Sequence, residues 1–150
     1  MTVLDAYAVL AFLKDEPAAT RVAELIEFQP PPALTALGVA EVLDHLVRLV
    51  GADEEDAVLD LAQLGLAEAF AVDADLASRA GRLRASHSHR KDRAISLADC
   101  VAAEIARREG RPLATWDPHL LGTCHDEGIT YEALPDTSGT TWTPTPSPRS

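Results

Sequence analysis

An α/β fold, with a central and mostly parallel sheet between two layers of helices, is what this sequence predicts, and three observations predict it. Short apolar runs alternate along the chain with segments of helical periodicity, as strand and helix do in parallel sheets. Gly, Pro and Asp stand at the joints between them. The 150 residues, 47% of them hydrophobic, suffice for one core and leave no room for a second domain.

The elements follow in order. Met1 to Leu4 reads as a strand ending at Asp5, after which Ala6, Val9, Leu10 and Leu13 recur at helical spacing. Pro17 suits the first turn of a second helix, striped by Val22, Leu25 and Ile26 and stopped by Pro30, Pro31 and Pro32. A short strand around 33–35 precedes one helix over 36–50, with Leu37, Ala40, Leu43, Val47 and Val50 on its apolar side and Gly38, Glu41, His45 and Arg48 on the other. Gly51 ends it. Asp53, Glu54, Glu55 and Asp56 open the next helix, where the macrodipole favours acids, and Val58, Leu61 and Leu64 follow before Gly65. Residues 69–72 read as a strand, Asp73 as the cap of a helix over 74–84, and 86–94 as a polar loop. Ser96 caps a helix over 97–109 that Gly110 terminates; 112–116 is a strand running into Asp117, and 129–133 a last one. The predicted domain is 1–135, with 136–150, rich in Pro, Thr and Ser, a disordered tail.

Composition excludes several classes. Apolar runs are too short to cross a membrane and no basic leader precedes them, so a soluble cytoplasmic protein is expected. Cys100 and Cys124 form no Cys-x-x-Cys pair, which argues against a disulfide framework or a zinc ribbon. The net charge of −11 weighs against indiscriminate nucleic-acid binding. Six of the thirteen Lys and Arg nevertheless fall between Arg79 and Arg93, with Arg84 and Arg90 the candidates for meeting phosphate.

The candidate chemistry is acidic. In parallel sheets, sites form beyond the carboxyl ends of the strands, where Asp5 and Asp117 stand. Asp99 lies in the first turn of its helix and can reach the same edge; Glu41 lies about a turn into its own. Singly, each has a plain structural account as a helix cap, a capping-box residue or a solvated glutamate. Together, four neighbouring carboxylates repel one another unless a cation neutralises them. Mg²⁺ or Mn²⁺ suits oxygen ligands and supports phosphodiester hydrolysis by activating water and neutralising charge.

Four segments carry a resemblance: Met-Thr-Val-Leu-Asp5-Ala-Tyr-Ala-Val-Leu, Leu-Thr-Ala-Leu-Gly-Val-Ala-Glu41, Leu-Ala-Asp99 opening a helix, and Leu-Ala-Thr-Trp-Asp117. Their order and spacing, over roughly residues 1–134, resemble the acidic motifs of PIN domains, most of all the VapC-type ribonuclease toxins of toxin–antitoxin pairs. That resemblance implies a PIN-like three-layer α/β/α fold and a Mg²⁺- or Mn²⁺-dependent endoribonuclease. Asp5, Glu41, Asp99 and Asp117 would be its acidic quartet, with Asp5, Asp99 and Asp117 nearest the metal and Ser96 and Thr115 shaping the site. It also implies a homodimer and a small VapB-like antitoxin. Two positions depart from the pattern: Gly38 stands where many relatives carry Asn, and Cys100 where an Arg is common. They keep open an alternative, a PIN-like interaction module that has lost turnover.

Other site types fit less well. A receiver domain needs a lysine on a late strand, and Lys14 and Lys91 end none. No glycine-rich dinucleotide or ATP loop is present, and His119, Cys124 and His125, or His87 and His89, lack recognised zinc spacing.

Overall fold

The computed structural model describes residues 1–67, 70–89 and 92–146. Within them, β1 (Val3–Leu4), α1 (Ala6–Leu13), α2 (Ala19–Glu27), β2 (Ala33–Leu34) and α3 (Ala36–Asp44) make the first half. A π-helical segment (His45–Val50), α4 (Glu54–Ala62), α5 (Ala74–His87), α6 (Leu97–Glu109), β3 (Leu113–Thr115), α7 (Pro118–Glu127) and β4 (Tyr131–Ala133) complete it.

Local chemistry sets where the helices begin. Of the seven α-helices described, all but α2 start on an Asp, Ser or Thr whose side-chain oxygen accepts a backbone N–H of the first turn. Gly51, Gly110 and Gly128 then close helical segments in the left-handed conformation, at φ of 81°, 61° and 69°, which carries no Cβ penalty for glycine.

The four strands form one parallel sheet in the order β2-β1-β3-β4. Alternation across the pleat divides the core in two. Val3 and Leu113 face one way, into a cluster with Leu76, Leu83, Val101 and Ile105 from α5 and α6. Leu4, Leu34 and Ala114 face the other, packing with Val9, Val22 and Val42 from α1, α2 and α3. Burying a side chain the size of Leu4 or Leu34 contributes about 1.5–3 kcal/mol, so even these two-residue strands are firmly held on that face. The result is the expected three-layer α/β/α arrangement.

Four local expectations need correction or completion. The helix expected over 36–50 is α3 followed by the π-helical segment, and its buried positions are Gly38, Val42 and Leu46, with Leu37 and Val50 exposed. The strand expected over 69–72 is absent from 70–72, while residue 69 lies outside the described residues; instead Ala67 makes an isolated parallel bridge to Ala33. Helix α5 runs three residues past Arg84, into the expected loop. At the start of the 136–150 segment, Asp136 Oδ1 accepts from the backbone N–H groups of Ser138 and Thr140, Pro135 bridges Thr141, and Trp142 packs edge-on against His125 and Tyr131. No described helix is long and apolar enough to cross a membrane.

Candidate active site

Parallel topology places the first turns of α1, α3 and α7 just beyond the carboxyl edge of the sheet, since each follows a strand after one to two residues. Asp5 leaves β1 and caps α1: its Oδ1 accepts the Ala8 N–H at 2.9 Å. Asp117 follows β3 and caps α7, accepting the His119 N–H at 2.9 Å, with Pro118 in the first helical position where a missing N–H costs nothing. Asp99 is the third residue of α6 and completes a capping box: Ser96 Oγ accepts the Asp99 N–H at 3.0 Å, and Asp99 Oδ2 accepts the Ser96 N–H at 2.8 Å. All three caps have real structural roles. They also aim three carboxylates at helix N-termini, whose partial positive charge favours them.

Thr115 connects two of the acids. Fully buried at the end of β3, it donates its hydroxyl hydrogen to Asp5 Oδ2 and accepts the Asp117 backbone N–H at 3.0 Å. The predicted site-shaping pair thus divides the work, Ser96 fixing Asp99 and Thr115 fixing Asp5 and Asp117.

Electrostatics ties the acids into one unit. Burial pushes Asp5 up to about 8, against the hydrogen bonds from Thr115 and Ala8, and the charges of Asp99 and Asp117 add to the rise. Asp99 is raised by burial and by Asp117, with its Ser96 bonds and His119 opposing. Asp117 is raised by burial, opposed by the His119 N–H and by the His119 charge. Glu41 lies on an exposed stretch of α3, yet partial desolvation of its carboxyl, and then the charge of Asp99, raise it. Its link to the others runs through Asp99.

The donor chemistry suits a hard divalent cation, because it consists of carboxylate oxygens alone. No three His, Cys, Asp or Glu of the described residues stand close enough together to be a finished ligand set, so the acids meet through their fields and not through a formed coordination shell.

Both departures from the motif pattern have packing reasons. A Cβ on Gly38 would lie 2.5 Å from Leu34 Cδ1 and 3.2 Å from Thr35 Oγ1, so the space an asparagine would need is filled by a buried leucine. Cys100 is fully buried in the core beneath α6, and its thiol is pushed up to about 12 by that burial; an arginine would not fit there.

Of the basic segment, Arg84 donates through Nε to the Ile95 carbonyl at 3.0 Å, bracing the residue before Ser96. Arg79 pairs with Asp75, and Arg93 with Asp126. Arg90 lies outside the described residues.

Three residues at the site carried no expectation of a role there. Tyr7, in the first turn of α1, has its phenol raised by burial and then by the charges of Asp117, Asp99, Asp5 and Glu41 together, so it stands among all four acids. Trp116, between Thr115 and Asp117, stacks on Tyr7 with ring centroids 4.7 Å apart. His119 lies close enough to Asp99 and Asp117 to stabilise both charges. The signal was in the sequence: each is within two residues of a candidate aspartate.

A family model, the PIN domain, matches residues 2–124. No curated protein matches the chain. Among solved structures, the chain is similar to VapC20 of Mycobacterium tuberculosis, described as a sarcin–ricin loop cleaving toxin, with a TM-score of 0.64 and 16% identity over 87% of this chain and 97% of that one. It is similar to VapBC2 of Rickettsia felis, bound to a DNA fragment from its promoter, at TM-score 0.62 and 19% identity over 87% and 96%. A toxin–antitoxin complex from Klebsiella pneumoniae matches at TM-score 0.59 and 16% identity over 78% and 87%.

Proposed function

The chain belongs to the PIN domain family, and we propose that within it the protein is a Mg²⁺- or Mn²⁺-dependent endoribonuclease of the VapC toxin type, acting in the cytoplasm and neutralised by a small VapB-like antitoxin. The observation that carries this reading is the convergence of Asp5, Asp99, Asp117 and, more loosely, Glu41 on one edge of the sheet, each carboxylate raised by burial and most of them by another acid's charge. A structural acid has no need of such company.

In this reading Asp5, Asp99 and Asp117 hold the cation, which when bound neutralises phosphodiester charge and activates the attacking water. The chain's own groups do the rest. Thr115 holds the Asp5 carboxylate and the Asp117 backbone, the Ser96 N–H holds the Asp99 carboxylate and the His119 N–H that of Asp117, so their rotamers are restrained before RNA arrives. The N-terminal ends of α1, α6 and α7 supply a positive field that offsets the repulsion between acids and phosphate. Glu41, the most exposed of the four, orients water at the rim. His119 stands beside Asp99 and Asp117 and favours the ionised form of both. Arg84 and Arg90 contact phosphates further along the RNA, Arg84 through the guanidinium nitrogens that Ile95 does not use.

The likeness to proteins crystallised as toxin–antitoxin pairs supports the antitoxin, and a homodimer belongs to the same proposal. Gly38 and Cys100 each have a packing reason in this fold, and the interaction-module alternative is left to the cleavage assay. Purified protein is expected to cleave a structured RNA from a tRNA and rRNA panel with Mg²⁺ or Mn²⁺, to stop in EDTA, and to stop in Asp5→Asn and Asp99→Asn proteins that remain folded. An intact panel at high protein concentration would replace the enzyme reading with the interaction module.

A further inference from the structure

The acids account for hydrolysis but not for how a chain of net charge −11 holds a polyanion. Two cations of the basic segment are already spent on ion pairs, Arg79 on Asp75 and Arg93 on Asp126. Affinity must come partly from a source that is not charge.

The Tyr7–Trp116 stack has the properties of such a source. Trp116 is half-buried against the core cluster of α1, α2 and α3, and is fixed in the chain between Thr115 and Asp117. Tyr7 lies on it at a centroid distance of 4.7 Å and an interplanar angle of 29°, within the range of an offset aromatic pair. The tyrosine nonetheless remains 40% exposed, although α1 otherwise buries most of its residues. A ring that has found an aromatic partner and still faces solvent, among four acids, is poorly explained by core packing. The other aromatic group, His125, Tyr131 and Trp142, differs: its three rings meet edge-on and close on one another, and none flanks a candidate acid.

We propose that Tyr7, backed by Trp116, is a stacking platform for one unpaired nucleobase of the RNA substrate, next to the phosphodiester that the acids address. The platform rests on the ribonuclease reading and adds a positioning residue to it. A nucleobase is neutral, so unlike phosphate it can enter a field of carboxylates without electrostatic penalty. Stacking ignores base identity but requires a base that is out of a helix, which favours loops and bulges over duplex RNA. A rigid backing lowers the entropy lost when the base docks.

The test separates stacking from cleavage. With Trp142→Phe as the background, Trp116 is the one remaining tryptophan of two, and its fluorescence reports the platform in EDTA, where no hydrolysis occurs. The probes are a 12-nucleotide single-stranded 2′-O-methyl RNA and an abasic oligomer of equal length. The base-containing probe is expected to quench Trp116 and to bind more tightly than the abasic one. Tyr7→Ala and Tyr7→Leu should lose that preference, weakening binding about 5- to 150-fold, the range for loss of one base–aromatic stack, while Tyr7→Phe retains it. In cleavage assays Tyr7→Ala should raise KM more than it lowers kcat. Equal binding of the two probes, no quenching by either, or undiminished base preference in Tyr7→Ala would overturn the platform. Tyr7-dependent base preference in a protein that cleaves no RNA would leave the platform standing and remove the hydrolase reading instead.

Discussion

Two groups of charged side chains in this molecule are built on opposite plans. Around Asp5, Asp99 and Asp117, like charges gather at helix N-termini, and all three carboxyls, with Glu41, are raised above their ordinary range. Between α5, α6 and α7, opposite charges alternate: Glu127 bonds to His87 and, at 3.0 Å, to Arg107, while Arg93 bonds to Asp126. There the carboxyl of Glu127 is lowered, first by the His87 bond and then by Arg107. Charge satisfied within the chain stabilises the fold. Charge left in surplus by the fold sets the acidic group apart from the paired one, and that contrast needs no reference to any relative.

The comparison breaks first at Asp99. Asp99→Asn keeps a capping side chain but removes the charge that Asp5, Glu41 and Tyr7 all feel. RNA cleavage should fall by at least about a hundredfold, the scale of loss when a reacting group is misplaced by about 1 Å, with an unchanged circular dichroism spectrum. Cleavage within a few-fold of wild type would show that the cluster is only a set of caps.

A smaller effect, on stability, comes from Thr115. Thr115→Val conserves shape but withdraws the donor to Asp5 and strands the Asp117 N–H, so unfolding free energy in urea should drop by about 1–3 kcal/mol. It also removes the strongest influence holding Asp5 down, which raises that carboxyl further.

The two regions should respond to pH in opposite senses. Asp5 is raised from 3.8 to about 8, so the folded state holds its proton more tightly than the unfolded chain. Its contribution to stability is complete below about pH 4 and is lost as pH climbs towards 8. In EDTA the melting temperature should therefore decline over that window, and Asp5→Asn should flatten the decline, gaining at least about 1 kcal/mol, or about 2–4 °C, at pH 8. Glu127 is lowered, so its contribution is present above its ordinary 4.5 and disappears as pH falls below it. The pair lies near the surface and is screened: Glu127→Gln should cost no more than about 1 kcal/mol at neutral pH, nothing below about pH 4, and leave cleavage unchanged.

Much of this was legible in the sequence, for identifiable reasons. Strand-end aspartates, the Ser96–Asp99 capping box and glycine stops are local signals, and α6 runs over the expected residues, Leu97 to Glu109. The π-helical segment was not legible, because apolar spacing in Leu43, Leu46 and Val47 fits an ordinary helix equally well. Residues 70–72 carry strand composition without a strand, since the one parallel bridge beside β2 is made at Ala67. Trp142 sits among Pro and Thr, so its packing on Tyr131 depends on contacts that composition does not encode. At the candidate site, Asp5, Asp99 and Asp117 stand out by their positions at strand ends and a helix start, whereas Tyr7 and Trp116 read as ordinary apolar residues until their stack brought them beside the acids.

The most direct test of the central idea, that the fold leaves the acids in want of a cation, is calorimetric titration of Mn²⁺ at pH 7 in buffers of different ionisation enthalpy. Since Asp5 is raised to about 8, it carries a proton at that pH, and binding should release up to about one proton per site. The release should vanish in Asp5→Asn and shrink at pH 9. Mn²⁺ that fails to bind, or that binds wild type with no proton released, would contradict the account.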